Sequence, residues 1–182
     1  MKLNPLTNQM NHKTILPRIV AFCLLAVIAG CKEKAATKTE VVDKQETIGV
    51  FNFDNKEEFS EYMSLNLDES HPNLLNPEIS KSDYKSVIES WTGLHQRIGA
   101  FLEENKFTWG VPDDAIRIVH KIYFGRNGRI ENYFFRIANE EVSKEKKEEF
   151  ANLIAAFART HRMDLQMDHS FAQCGKTKYM NK

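Results

Sequence analysis

The chain has 182 residues; its 25 Lys and Arg balance 25 Asp and Glu, and 42% of the residues are hydrophobic. Without an excess of positive charge there is no basic field to draw in nucleic acid, so no nucleic-acid partner is expected. Three cysteines are too few for a disulfide framework, which leaves a packed apolar core to hold the fold.

The first segment reads as an export signal. Lys2, Lys13 and Arg18 give it a positive flank, no acidic residue precedes Cys31, and Ile19 to Ala29 is an unbroken apolar run. That run is about half of the roughly 20 residues a membrane-spanning helix needs. A start at Met10 would leave the reading unchanged. Ala29 and Gly30 are the small residues a peptidase requires at a cleavage site. The tetrapeptide Ile28-Ala29-Gly30-Cys31 resembles the lipobox of bacterial lipoproteins. The resemblance implies diacylglyceryl transfer to the Cys31 sulfur, cleavage between Gly30 and Cys31, and acylation of the new amino terminus. Two or more acyl chains hold a protein on a membrane at about 0.8 kcal/mol per buried CH₂, so the expected membrane attachment is a lipid anchor without a transmembrane helix. In the lipoprotein family an Asp after the cysteine signals inner-membrane retention. Here that place holds Lys32, and the resemblance implies the outer membrane, with either leaflet open. The charged start Cys31-Lys32-Glu33-Lys34 also resembles the export tags of surface lipoproteins in the Bacteroidota.

Removing residues 1–30 takes away three basic residues and leaves 22 against 25 acidic. Of the cysteines, Cys23 would leave with the signal and Cys31 would be acylated, so Cys174 stands alone. Its default is burial, because a free thiol behaves as a small hydrophobe; a link between chains and reactivity are the alternatives. Residues 31–46 carry almost no bulky apolar side chain and read as a flexible tether with a reach of roughly 20–25 Å. A single globular domain is expected over residues 47–182.

Within that domain, Ile48 to Phe53 alternates as a short strand, and Asp54 is a candidate N-cap for a helix bearing Phe59, Tyr62 and Met63 on one face. Leu65 to Pro77 reads as a long connection. Ser80 to Asp83 fits a capping box, with Ile79 stapled on Tyr84. The helix that follows places Tyr84, Val87, Ile88, Trp91, Leu94, Ile98, Phe101 and Leu102 at spacings of three and four. Phe107 to Trp109 reads as a short strand. Two alternating runs, Ile116 to Phe124 and Arg129 to Ile137, flank Gly125-Arg126-Asn127-Gly128, a hairpin signal with Gly128 suited to the left-handed region and either a two- or a three-residue loop. Ser143 caps a helix over about Lys144 to Thr160, Met163, Leu165 and Met167 alternate, and Phe171 to Tyr179 reads as a closing strand. The expected fold is α+β: an antiparallel sheet of about four to five strands, including the Asn-Gly hairpin, with two to three helices packed on one face.

The chemistry-bearing residues concentrate in His161, Asp164, Asp168, His169 and Cys174. These types can ligate zinc, but their spacing matches no zinc motif. Cys174 with His169 or His161 would make a thiol nucleophile only beside a cation or helix N-terminus. Asp113 and Asp114 are explained by a Pro-led turn. No phosphate loop, dinucleotide fingerprint or EF-hand loop is present, and no cofactor is expected. The hairpin, the helix after it and the final strand, Ile116 to Tyr179, resemble in element order and in Gly128 the C-terminal domain of TonB proteins, a non-catalytic protein-binding module. Ala158-Arg159-Thr160-His161 stands where that family has an aromatic-x-Pro-Ala ending. The resemblance implies only that such a sheet serves as a docking surface. The expectation is a non-catalytic binding module partnered by an envelope protein, with a metal- or thiol-dependent enzyme using His161 to Cys174 as the alternative.

Overall fold

The computed structural model describes residues 47–181; the lipobox and tether expectations lie outside the described residues. The elements run β1 (Gly49–Asn52), α1 (Lys56–Ser64), a 3₁₀ turn (Leu67–Glu69), α2 (Pro77–Ser80), α3 (Tyr84–Glu104), β2 (Ala115–Phe124), β3 (Ile130–Ile137), α4 (Lys144–Thr160) and β4 (Phe171–Met180). Among the described residues, no helix is long and apolar enough to cross a membrane. The described residues lie within the compact unit Lys44–Lys182, and both core clusters are built from them.

The fold is α+β, but the sheet is mixed. Its order is β1-β3-β2-β4, with β2 antiparallel to both neighbours and β1 parallel to β3, Gly49 opposite Asn132 and Asn52 opposite Phe135. This corrects the expected antiparallel sheet. Alternation reveals which residues face inward, not which way a neighbouring strand runs. Residues 53–129, which hold α1 to α3 and β2, supply the long connection that a parallel pair requires.

The helices also occupy both faces instead of one. Even-numbered β2 residues Ile116, Ile118, Ile122 and Phe124 point into the main core beneath α3 and α4. On the opposite face Tyr123 joins Phe51, Ala172 and Phe134 in a second cluster, which Phe59 and Tyr62 of α1 cover. Tyr62 stacks on Phe134 with ring centroids 4.2 Å apart. The far end of that face is bare, and Arg117, Arg136, Lys176 and Lys178 are exposed there.

Helix starts differ locally from expectation. Asn55, not Asp54, caps α1, its Oδ1 accepting from the backbone N–H groups of Glu57 and Glu58. The Asp54 carboxylate instead binds Lys147 of α4 at 2.7 Å and faces Arg136. Asp83 precedes α3 without a side-chain cap, a 3₁₀ turn over Lys81–Asp83 leads in, and Ile79 is exposed rather than stapled. Ser143 caps α4 as expected, accepting from Lys146 N–H. Phe107 to Trp109 is not a strand. It is an extended wedge that enters the core, with Trp109 5.2 Å from the Phe150 ring of α4.

The hairpin takes the three-residue form. Gly128 N–H donates to Gly125 O, Gly125 N–H to Arg129 O, and Gly128 sits at φ 75°. The segment after α4 straps onto this tip, with Met163 N–H on Gly128 O at 2.8 Å and Met167 N–H on Arg126 O at 3.0 Å.

Candidate functional site

The stripe that buries α3 is not wholly apolar. Ser90 and His95 lie in it beside Trp91, Leu94 and Ile98. On the sheet beneath, His120 interrupts the inward isoleucines of β2, and Gln173, Thr177 and Tyr179 share the inward face of β4. Gly175 of β4 gives the Trp91 ring its seat, since a Cβ there would come within 2.9 Å of Trp91 Cζ2.

These polar groups meet in one buried cluster. Thr177 Oγ1 lies 2.6 Å from His120 Nε2, and His120 Nδ1 lies 2.7 Å from the Tyr133 hydroxyl. The Tyr179 hydroxyl lies 2.6 Å from His95 Nδ1. The His95 and His120 rings are 4.6 Å apart. Burial holds His95 down to about 3. It holds His120 well below the ordinary histidine value, with help from the facing His95. Burial also pushes both tyrosines up. The cluster is therefore neutral at ordinary pH. Each neutral imidazole has one donor and one acceptor nitrogen. Among the described residues, His95 Nε2 is buried without a hydrogen-bond partner.

A cleft of about 780 Å³ opens beside His95, between α3, the 106–109 wedge and β4. Trp91, His95, Phe107, Trp109 and Tyr179 line it, with Glu103 and Lys106 also among its lining residues. The volume falls within the roughly 300–1,000 Å³ of small-molecule sites. Aromatic walls and a neutral polar floor give it the means to hold a ligand.

A second network lies across the sheet. The Tyr62 and Tyr123 hydroxyls are 2.6 Å apart, and Tyr123 donates to Asp68, which also binds Lys121. Partial burial opposes ionisation of Asp68, but the Lys121 and Tyr123 hydrogen bonds outweigh it and lower its pKa. The network ties the 3₁₀ turn to β2.

The residues singled out in the sequence are not brought together. His161 bonds the Phe157 carbonyl and stacks on the Phe157 ring. Asp164 pairs with Arg97 at 2.7 Å. Asp168 and His169 pair with each other on the surface. Cys174 is half-buried on the opposite sheet face, where burial pushes its thiol up although Lys121 partly offsets this. Among the described residues, no group of three or more His, Cys, Asp or Glu stands where it could hold a metal ion. Asp113 and Asp114 belong to a turn, their carbonyls accepting from Asn181. The signal for the cleft was present but unread: His95 follows Trp91 by four residues on the helix stripe, and His120 stands between Ile118 and Ile122, so both occupy core positions. Compared with known proteins, the chain matches no family model, no curated protein and no solved structure.

Proposed function

We propose that this is a lipid-anchored protein of the cell envelope, held at the outer membrane through Cys31, whose domain is a non-catalytic binding module with the α3–β4 cleft as its binding site. The sequence Ile28-Ala29-Gly30-Cys31-Lys32 supports the anchor and its membrane. The observation that carries the binding reading is the cleft itself, where aromatic side chains meet a floor of neutral, mutually hydrogen-bonded groups. Such groups orient a ligand without transferring charge to it. The scattering of His161, Asp164, His169 and Cys174 weighs against the enzyme alternative.

Two measurements test the reading. Cys31→Ser should release the protein from the membrane fraction and remove the mass of the acyl chains; unchanged sedimentation and mass would refute the anchor. In-cell crosslinking from Thr92 or Gln96 at the cleft should recover a bound molecule or partner. Turnover of a defined substrate by the purified domain, abolished by one substitution, would refute the non-catalytic reading.

A further inference from the structure

β4 is an edge of the sheet, and its outer side is covered for only part of its length. Near its start, Ala172 N–H donates to Pro72 O, Leu74 N–H to Ala172 O and Cys174 N–H to Asn73 Oδ1, so residues 72–74 run alongside it in parallel. These outward bonds show that the even-numbered residues of β4 turn their backbone groups away from β2. The β2–β4 register runs unshifted from Phe171 to Met180, and strand geometry repeats every second residue. The N–H and C=O groups of Lys176 and Lys178 therefore face outward too. Among the described residues, no strand or bridge pairs with that side beyond Cys174.

The two faces of this edge differ in chemistry. Thr177 and Tyr179 point to the core face beneath α3, and Lys176 and Lys178 to the opposite face, where Arg117 stands beside Lys178. Yet the unbroken run Lys176–Met180 lines the cleft. Residues that alternate between faces line one opening only where it lies along the strand's edge. On the core side that opening meets Gly99 and Ala100 of α3 and the rings of Trp91, Phe107 and Trp109. On the other face both lysines are exposed. Asp113 and Asp114 share a recess with Arg117 and Lys178, but Asn139 engages the Asp113 carboxylate at 2.7 Å. A strand added to a sheet edge sends its side chains alternately to the two faces, so it would meet rings on one side and lysines on the other.

We propose that the β4 edge beyond Cys174 takes up an extended segment of a partner protein as an added strand, with apolar side chains entering the cleft and acidic side chains at the alternate positions beside Lys176 and Lys178. The inference rests on the binding-module reading and names the partner class. A second copy of the chain does not fit this edge, because antiparallel pairing of two such edges over residues 176–178 sets lysine against lysine.

Trp91 and Trp109 are the only tryptophans in the chain and both line the cleft, so their emission reports its filling. The full-length protein, held in mild detergent, is titrated with the capped peptide Ser-Glu-Leu-Glu-Leu-Glu-Ser. The expected result is a saturable emission change. Binding should weaken at least about tenfold when Lys replaces every Glu of the peptide, and as much when Ser replaces every Leu. Methylation of the peptide's backbone nitrogens tests the added strand itself, because only alternate N–H groups face β4. It should abolish binding at the Glu positions for an antiparallel segment, or at the Leu positions for a parallel one. The Lys176→Glu/Lys178→Glu variant, shown to be folded by an unchanged melting temperature, should prefer the lysine peptide. No saturable change with the acidic peptide, equal affinity for its lysine or serine version, tolerance of methylation at both sets of positions, or an unreversed preference in the variant overturns the proposal. If these titrations fail while crosslinking recovers a bound molecule or partner, the partner class falls and the binding reading stands. Substrate turnover by the protein removes the binding reading itself.

Discussion

Replacing Gly128 by Ala tests how the strap after α4 is fastened. Two costs add at this position. The first is conformational: at φ 75° an L-residue with a Cβ loses about 1–2 kcal/mol. The second is a collision, because the new Cβ would lie 2.3 Å from Met163 O and 2.9 Å from Leu165 O. Both obstacles are backbone atoms that no rotamer change can move. The strap must lift, which forfeits the Met163 N–H bond to Gly128 O, worth about 0.5–1.5 kcal/mol. It also exposes part of the Met163 side chain, now 2% exposed, whose full burial is worth about 1.5–3 kcal/mol. The total comes to about 2–5 kcal/mol, a large share of the 5–15 kcal/mol by which domains are stable. Gly110 supplies the control. Its φ is 72°, but a Cβ there would meet only the Lys146 side chain, at 3.6 and 3.8 Å, so Gly110→Ala carries the conformational cost of about 1–2 kcal/mol alone. Urea unfolding of the Lys44–Lys182 chain, followed by tryptophan emission, measures both. Gly128→Ala should cost at least about 1 kcal/mol more than the control. Equal costs would show that the strap does not bear on the hairpin tip.

Stability should also depend on pH through the buried histidines. His95 and His120 stay neutral in the fold far below their ordinary value of 6.5, whereas the unfolded chain takes up protons near 6.5. Their share of stability is full above 6.5 and is lost as pH falls from 6.5 toward 3, by up to about 1.4 kcal/mol per unit for each. Urea midpoints at pH 7.5, 6 and 5 should fall, with a shallower slope in His95→Gln; a flat profile over that range would contradict neutral burial. Cys174, half-buried with its thiol pushed up, should react with iodoacetamide at pH 7.5 at least about tenfold more slowly in the native protein than in urea. Native labelling as fast as in urea would restore the thiol-enzyme alternative.

The contrast between what the sequence disclosed and what it hid has physical causes. The hairpin and α4 were legible because their signals are local: Asn127-Gly128 meets a backbone need within the turn, and Ser143 caps an N–H three residues away. The α1 cap was misread by one position because Asp54 and Asn55 both offer a side-chain oxygen. The choice was made from a distance, by Lys147 and Arg136 engaging Asp54. Phe107 to Trp109 has the alternation of a strand, but its rings turn into the core and pack on Phe150. The cleft was hidden for the same reason. Periodicity marks His95 and His120 as inward, but only the fold brings positions 95, 120, 133, 177 and 179 to one place.

The parallel pairing of β1 with β3 also governs the order in which the molecule can be completed. Among the described strands β1 is made first, yet its partner ends at Ile137, so the strand waits while most of the domain is synthesised. β4, the other outer strand, comes last and pairs with β2. Only the β2–β3 hairpin can form from neighbouring residues; the sheet then grows outward from it on both sides through contacts distant in sequence, which are slow to close. A chain arrested before β3 would leave Phe51 and Tyr62 without Phe134 and Ala172 to cover them, a sticky intermediate of the kind that aggregates.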